Sequence, residues 1–270
     1  MWFNGFMVVI DMALESLGDA RLLAQRDALV LGAFREDVCF SGFGIVSPSP
    51  SLTHFSRAGL PGGFIPFVCP GAPQRARKFF DRALAEAARG RETAAFVQLG
   101  RAIHPLGDMA CPVHAQGVAH KVDPFEWCVE ARHAELRRLP VPRVALGGVE
   151  AIVEDLACLG QSFRADKTTS PWGAVMRRLG WRRPVLTAEA REQATALIPR
   201  AAGCTAALLG LFTAKVEYGA GARPRCEDLE MSLTGLLSWL AQLEAFCRTH
   251  GGKRHYGGLL DLIGRCRAPS

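Results

Sequence analysis

Helical periodicity dominates the pattern of apolar and polar positions along this chain. Apolar side chains recur every three to four residues in many segments, and no stretch shows the sustained alternation of Val, Ile and Thr that marks half-buried strands. Ala, Leu and Arg, which favour helices, are prominent throughout. The pattern predicts an all-α protein with helices over residues 5–17, 20–33, 74–89, 92–109, 147–162, 187–217 and 228–249, and with a further helix that begins at Asp123-Pro124.

Two segments interrupt this helical pattern. Residues 41–75 are rich in Gly, Pro and Ser and predict a long irregular loop, and loops of this length in compact domains are usually functional or disordered. Residues 220–270 have a separate composition and predict a helical extension without an assigned role. The expected organisation is therefore one multi-helix domain over residues 1–219, followed by this extension at 220–270.

Composition and net charge give only weak information about the function of the protein. The chain has 270 residues with 49% apolar and 21% charged residues, which is ordinary for a globular protein. Its net charge of +6 would favour anionic partners such as phosphates, nucleic acids or membrane surfaces. A GC-rich genome that encodes Arg freely would explain the same charge equally well, since the chain has no dense run of Lys and Arg.

Cysteine usage and the N-terminus predict a cytoplasmic protein. The nine cysteines are odd in number and include no Cys-x-x-Cys, so they predict neither a disulfide framework nor a Cys-based zinc site. Scattered thiols are typical of a reducing compartment. The N-terminal segment lacks a basic region and carries Asp11 and Glu15, which argues against a signal peptide. No uninterrupted apolar stretch approaches the 18 residues of a membrane span.

One short segment concentrates residues that bind metals. Three of the seven histidines, His104, His114 and His120, fall within 17 residues, and Asp108 and Glu126 lie among them. His104 and Asp108 are four residues apart on a predicted helix, so both side chains can reach one ion. Imidazoles and carboxylates without a thiolate are typical of catalytic zinc sites. The segment therefore predicts a zinc site.

Each of these residues also has a purely structural explanation. His104 and Asp108 would form an ordinary hydrogen-bonded pair on one helix, and Glu126 would complete a capping box with Asp123 as the helix cap. Any one residue alone favours the structural explanation. The five together within 23 residues favour metal binding.

The same segment resembles the bacterial zinc-dependent phospholipase C family, which is structurally related to single-strand-specific zinc nucleases. The family pattern is Leu-Gly-x-x-x-His-x-Leu-Gly-Asp, then Pro-x-His-Ala, then a His followed by an aromatic–Glu pair. These motifs correspond here to residues 99–108, residues 112–115, His120 and Phe125-Glu126. Upstream, Asp37 and Thr53-His54-Phe55 resemble further family motifs. The resemblance covers residues 5–219 and implies an all-α fold of the same type.

The resemblance implies two zinc ions and the residues that bind them. One ion would be held by Asp37, His54, His104 and Asp108, and the second by His114, His120 and Glu126. Asp37 would also be the general base. The family spacing before the Glu is usually His-x3-Glu, whereas here it is His120-x5-Glu126, so Asp123 competes with Glu126 as a ligand.

A third zinc in the family uses the amino group of an N-terminal Trp and a His of the first helix, and Asp108 would bridge it to the first. Here Met1 precedes Trp2 and the first helix contains no His. The expectation is therefore a two-zinc cytoplasmic protein. If the true start lies upstream, a secreted protein with three zinc ions is expected instead.

The predicted function is phosphodiester hydrolysis by zinc-activated water, with a phospholipid or another phosphodiester as substrate and with peripheral contact to a membrane surface. The first alternative is a zinc nuclease on the same scaffold, in which Phe40, Phe43 or Phe64 would stack on bases. The second is a non-catalytic helical binding protein with a degenerate metal site, which the missing His of the first helix favours. Zinc content distinguishes the enzymes from the binding protein.

Overall fold

The computed structural model describes residues 3–36, 38–40, 46–48, 70–118, 123–145, 147–169, 171–180, 184–219, 228–229, 233–249 and 252–267. Within these residues the chain forms twelve α-helices and a two-stranded ribbon, so the predicted all-α fold is confirmed. The helices are α1 (Phe3–Leu17), α2 (Ala20–Ala24), α3 (Arg26–Arg35), α4 (Ala72–Ala88), α5 (Glu92–Met109), α6 (Pro112–Ala115), α7 (Pro124–Leu136), α8 (Val149–Ser162), α9 (Pro171–Arg178), α10 (Thr187–Thr213), α11 (Leu233–Thr249) and α12 (Gly252–Arg267).

Helix α5 is the central element of the fold. It packs against α3 and α4, and also contacts α1, α8 and α10. All of its residues from Ala94 to Met109, apolar and polar alike, are buried, which is expected for a helix surrounded by others. The crossing with α3 is unusually close, since a Cβ atom on Gly32 would lie 2.1 Å from the carbonyl oxygen of Val97. Glycine therefore lets the two backbones touch.

The segment predicted as a loop at 41–75 is partly regular. Strands β1 (Val38–Phe40) and β2 (Val46–Pro48) pair antiparallel, with Val38 opposite Pro48. Helix α4 begins at Ala72, because the side chain of Gln74 accepts a hydrogen bond from the Gly71 amide at 3.0 Å and so closes its first turn. The remaining residues of the segment, 41–45 and 49–69, lie outside the described part of the chain.

The observed helices differ from the sequence prediction at several places, including the ends of α10 (Thr187–Thr213) and α11 (Leu233–Thr249). The helix predicted at 20–33 is divided, because Gln25 leaves helical geometry between α2 and α3. Helices α9 and α12 were not predicted. α12 contains four glycines, which disfavour a helix, yet its apolar residues at 256, 259, 262 and 263 form one buried face. Burial of that face outweighs the low helix propensity.

The two C-terminal helices pack against each other, and α12 also contacts α1. Trp239 of α11 and Tyr256 of α12 are almost fully buried in the same core as α1. Arg265 of α12 donates to Asp27 of α3 at 2.8 Å. The described part of the predicted extension therefore shares its packing with the N-terminal helices.

Among the described residues, one helix, α10, is long and apolar enough to cross a membrane by length and composition alone. The sequence expectation missed it because polar residues interrupt its apolar positions. Of its most apolar window, 67% is buried inside the protein, where α10 packs against α1, α7 and α8. Burial against three other helices is typical of a core helix.

Candidate metal centre

A buried polar stripe runs along α5 and leads to the candidate centre. Gln98, Arg101, His104 and Asp108 follow one another at intervals of three or four residues, so they lie on one side of the helix. All four are buried although they are polar. Buried polar groups require partners, and those of the stripe include groups at the C-terminal end of α3 and in α6.

The end of α3 fixes the orientation of the His104 ring. Its Nδ1 atom lies 2.9 Å from the carbonyl oxygen of Ala33. A carbonyl can only accept, so Nδ1 carries the proton and donates it. Phe6 of α1 stacks on the other side, with ring centroids 4.7 Å apart. A histidine whose Nδ1–H is held by a backbone carbonyl presents Nε2 as the ligand atom, as in most metal sites.

His104 Nε2 faces Asp108, the next residue of the stripe. The Nε2 atom lies 3.1 Å from the Oδ2 atom of Asp108, and both side chains are almost inaccessible to solvent. With the proton of a neutral ring on Nδ1, the Nε2 atom and the carboxylate oxygen are both acceptors. Two acceptors at this distance need a second ring proton or a cation that both can bind.

The third and fourth residues of the centre come from α6 and α7. His114 Nε2 lies 4.0 Å from Asp108 Oδ1 and 4.0 Å from Glu126 Oε1. Pro112 starts α6, and Gln161 of α8 donates to the Ala115 carbonyl at 2.9 Å. These contacts hold the single turn that carries His114, so its imidazole is positioned between two carboxylates.

Asp123 contacts both Glu126 and Cys111 through its two carboxylate oxygens. Oδ1 accepts a hydrogen bond from the Glu126 amide at 2.9 Å and caps α7. Oδ2 accepts from the Cys111 thiol, with 3.3 Å between Sγ and oxygen. Asp123 thus has the capping geometry expected for it, while Glu126 is the carboxylate beside His114.

Cys111 is a component that the sequence did not suggest. The ligand atoms of Cys111, His114 and Glu126 all lie within 4.8 Å of one another. Burial, with added effects of Asp123 and Glu126, raises the pKa of the Cys111 thiol well above its ordinary value. No Cys-x-x-Cys motif marks this residue. The signal that would have found it is its spacing of three from His114 across a helix N-terminus.

Six cysteines of the described residues are free thiols: Cys111, Cys128, Cys158, Cys204, Cys247 and Cys266. Cys128, Cys204 and Cys247 are buried among apolar side chains.

A network of charged residues supports the centre from the other side of the stripe. Glu36, the C-cap of α3, accepts a hydrogen bond from Arg101 Nε at 2.6 Å and another from Arg75 Nε at 2.8 Å. Burial alone would raise the pKa of Glu36, but the guanidinium groups of Arg101 and Arg75 lower it below its ordinary value. Glu36 is therefore ionised, and it fixes Arg101 one turn before His104.

The structure brings together four of the predicted ligands: His104, Asp108, His114 and Glu126. The other three, Asp37, His54 and His120, lie outside the described residues. Asp37, the residue expected to be the general base, is therefore not described by the structure.

The four described residues offer a donor set that suits zinc. They supply two imidazoles and two carboxylates, the ligand types of catalytic zinc sites. Donors around a tetrahedral zinc are about 3.3 Å apart, given bonds of about 2.0–2.1 Å. Within the two pairs that would each share an ion, the separations are 3.1 Å for His104 and Asp108 and 4.0 Å for His114 and Glu126, which lie on either side of that value. Asp108, Asp123 and Glu126 are all buried, so three buried carboxyl groups lie in this region.

Comparisons with known proteins identify no family. No protein-family model and no curated protein matches the sequence. Among solved structures, the fold is similar to alpha-toxin of Clostridium perfringens, isolated from avian strain SWCP, with a TM-score of 0.48 and 17% identity. The match covers 79% of this chain and 63% of the toxin chain, so this chain spans less than two thirds of that protein. A likeness this weak transfers no activity, metal or substrate.

Proposed function

We propose that this chain is a zinc-dependent phosphodiester hydrolase of the phospholipase C type. One observation carries the proposal: His104, Asp108, His114 and Glu126 come from three helices and converge within hydrogen-bonding or ligand-sharing distance. A plain helix pair would explain His104 and Asp108 alone. It does not explain why a second imidazole and a second carboxylate lie at the same place.

The site residues divide the work of such a reaction. His104 and Asp108 would hold one ion, and His114 with Glu126 a second, completed by Asp37, His54 and His120 as the sequence pattern suggests. Zinc, when bound, supplies a water of pKa about 7 as the nucleophile and neutralises the phosphate charge. Asp37 would accept the proton of that water. The Ala33 carbonyl and Phe6 hold the His104 ring in the ligating orientation.

Substrate class follows from charge and from the sequence pattern. A phosphodiester is anionic, and the net charge of +6 favours its approach. A phospholipid substrate, reached by peripheral contact with a membrane surface, is preferred because the sequence motifs resemble phospholipases. Single-stranded nucleic acid is the alternative substrate on the same centre.

The test begins with metal content. The purified full chain, reconstituted with zinc and desalted, should retain at least two ions, measured by elemental analysis. The loaded protein is then assayed against phosphatidylcholine and phosphatidylethanolamine vesicles, single-stranded DNA and a simple phosphodiester, before and after chelation. Chelation should abolish hydrolysis. A protein that binds no zinc, or that binds zinc and hydrolyses none of the four, overturns the proposal.

A matched pair of histidine variants localises the activity. His114→Ala should lose zinc and at least about 100-fold of the activity, since a direct ligand matters at least as much as its supporting groups. His133→Ala alters another histidine, on α7, whose ring contacts the Glu130 carbonyl outside the centre. Activity in His133→Ala should remain near that of the unaltered protein. Equal losses in the two variants would place the chemistry elsewhere.

A further inference from the structure

Three groups at the junction of α6 and α7 form a cluster of a different chemical kind from the rest of the centre. Cys111, His114 and Glu126 offer a thiol, an imidazole and a carboxylate whose ligand atoms lie within 4.8 Å of one another. All three residues are buried. The sequence resemblance accounts for the imidazole and the carboxylate but gives the thiol no role.

Local geometry explains why Cys111 faces this cluster. Cys111 is the N-cap of α6 with extended backbone angles, and His114 follows three residues later in the same turn. The Cys111 side chain makes no capping hydrogen bond to α6, so its position is set by its contacts with other groups. The Sγ atom also lies 3.3 Å from Asp123, which caps the helix that carries Glu126. One aspartate therefore contacts both the Cys111 thiol and the backbone amide of Glu126.

We propose that Cys111 is a zinc ligand of the site formed with His114 and Glu126, an inference that rests on the proposed zinc-dependent function. On binding, the sulfur gives up its proton to solvent and forms the bond to the metal, and the S–H···O contact with Asp123 is lost. Asp123 remains as the cap of α7. The ion then has a thiolate, an imidazole and a carboxylate from this chain, the mixed donor set found at zinc sites.

A thiolate ligand has a consequence for metal choice. Soft sulfur donors favour zinc, cobalt and cadmium over magnesium and manganese, which prefer oxygen. A site with only His114 and carboxylates would discriminate less. The proposal therefore predicts that Cys111, more than the other residues of the centre, determines which divalent ion is retained.

The experiment uses cobalt as a spectroscopic substitute for zinc in the full chain. Cobalt bound by nitrogen and oxygen shows only weak visible absorption, whereas a cobalt–thiolate bond adds a strong charge-transfer band in the near ultraviolet. The unaltered protein should show both features. Cys111→Ala should lose the charge-transfer band and keep visible absorption from the remaining ligands. Cys204→Ala, which removes a buried thiol of α10 away from the centre, should retain both.

The outcomes separate this inference from the proposed function. Visible absorption without a charge-transfer band in the unaltered protein means that metal binds without Cys111, which overturns the inference and leaves the hydrolase proposal standing. The same holds if the band persists in Cys111→Ala. Failure of the unaltered protein to bind cobalt or zinc at all overturns both. The spectrum of the unaltered protein is enough to overturn the inference, so the test stays decisive even if Cys111→Ala misfolds.

Discussion

Gly100 of α5 lies so close to Leu29 of α3 that a Cβ atom on it would be 2.1 Å from the Leu29 carbonyl oxygen. The clash is with backbone, so no side-chain rotation relieves it. Gly100→Ala should therefore separate α3 from α5 and draw the Ala33 carbonyl away from His104. We expect a loss of about 1–3 kcal/mol or more in the free energy of unfolding, together with weaker zinc retention.

The control for this prediction is Gly264→Ala in α12, where an added Cβ would meet nothing within 4 Å. Alanine favours a helix over glycine, so this variant should be unchanged or slightly stabilised. Denaturant unfolding of both variants, with zinc analysis of the folded proteins, makes the comparison. A Gly100→Ala protein as stable as Gly264→Ala would mean that the two helices separate without cost.

The sequence predicted the helices whose apolar positions repeat strongly, and it did so from local pattern alone. Phe96, Leu99 and Leu106 mark α5 at helical spacing, and the predicted range 92–109 is the observed one. α12 was missed because its glycines lower helix propensity locally, whereas its stability comes from burial against other elements. That burial is a long-range property that a local pattern does not contain.

The candidate centre shows the same division between local and long-range information. The i, i+4 spacing of His104 and Asp108 predicted their contact, because one helix fixes it. The contacts that orient them come from elsewhere in the chain, such as the Ala33 carbonyl, 71 residues before His104. Cys111 was overlooked because its closeness to Glu126 depends on how α6 and α7 are placed, which the spacing alone does not give.

Glu36 should be the most sensitive charged residue outside the centre. Its carboxylate accepts from Arg101 and Arg75, and the pKa of Glu36 is lowered, so it is charged in the folded protein. Glu36→Gln removes the charged partner that accepts from the buried guanidinium group of Arg101. Removing one partner of a buried pair costs about 3–5 kcal/mol, which denaturant unfolding at neutral pH would measure.

The matched control for Glu36 is the ion pair of Arg77 and Asp81 on α4, in which both side chains are half exposed. Asp81→Asn should cost far less than Glu36→Gln, because exposed pairs contribute little. If Glu36→Gln lowers the free energy of unfolding no more than Asp81→Asn does, the contacts of Glu36 with Arg75 and Arg101 do not stabilise the buried polar residues of α5.

Glu130 of α7 should make stability depend on pH near neutrality. Its carboxylate accepts from the Asn4 amide at 3.2 Å, and burial raises the pKa of Glu130 from 4.5 to about 7 against the opposing hydrogen bond from Tyr256. Between those values the folded protein holds a proton that the unfolded chain has released. This contribution is therefore favourable at low pH, and stability falls as pH rises from about 4.5 to 7.

Glu130→Gln removes that titration while keeping an acceptor for Asn4. Relative to the unaltered protein, its free energy of unfolding should rise by about 3 kcal/mol between pH 4.5 and 8. Glu135→Gln, on the same helix but exposed, should show no such rise over the same range. Parallel pH profiles for the two variants would contradict the assignment to Glu130.

Asp123 and Glu126 are expected to have separate roles, and metal content distinguishes them. Glu126 lies beside His114, so Glu126→Ala should lose about one zinc ion per chain while the folded structure persists. Asp123 caps α7 through the Glu126 amide, and Asn also caps helices, so Asp123→Asn should retain both the helix and the zinc. Asp123→Ala should instead lose about 1 kcal/mol of stability through the missing cap.

Zinc analysis and unfolding of the three variants test this assignment. If Asp123→Asn loses the ion and Glu126→Ala keeps it, Asp123 is the ligand, and the contact between Glu126 and His114 is only an electrostatic one.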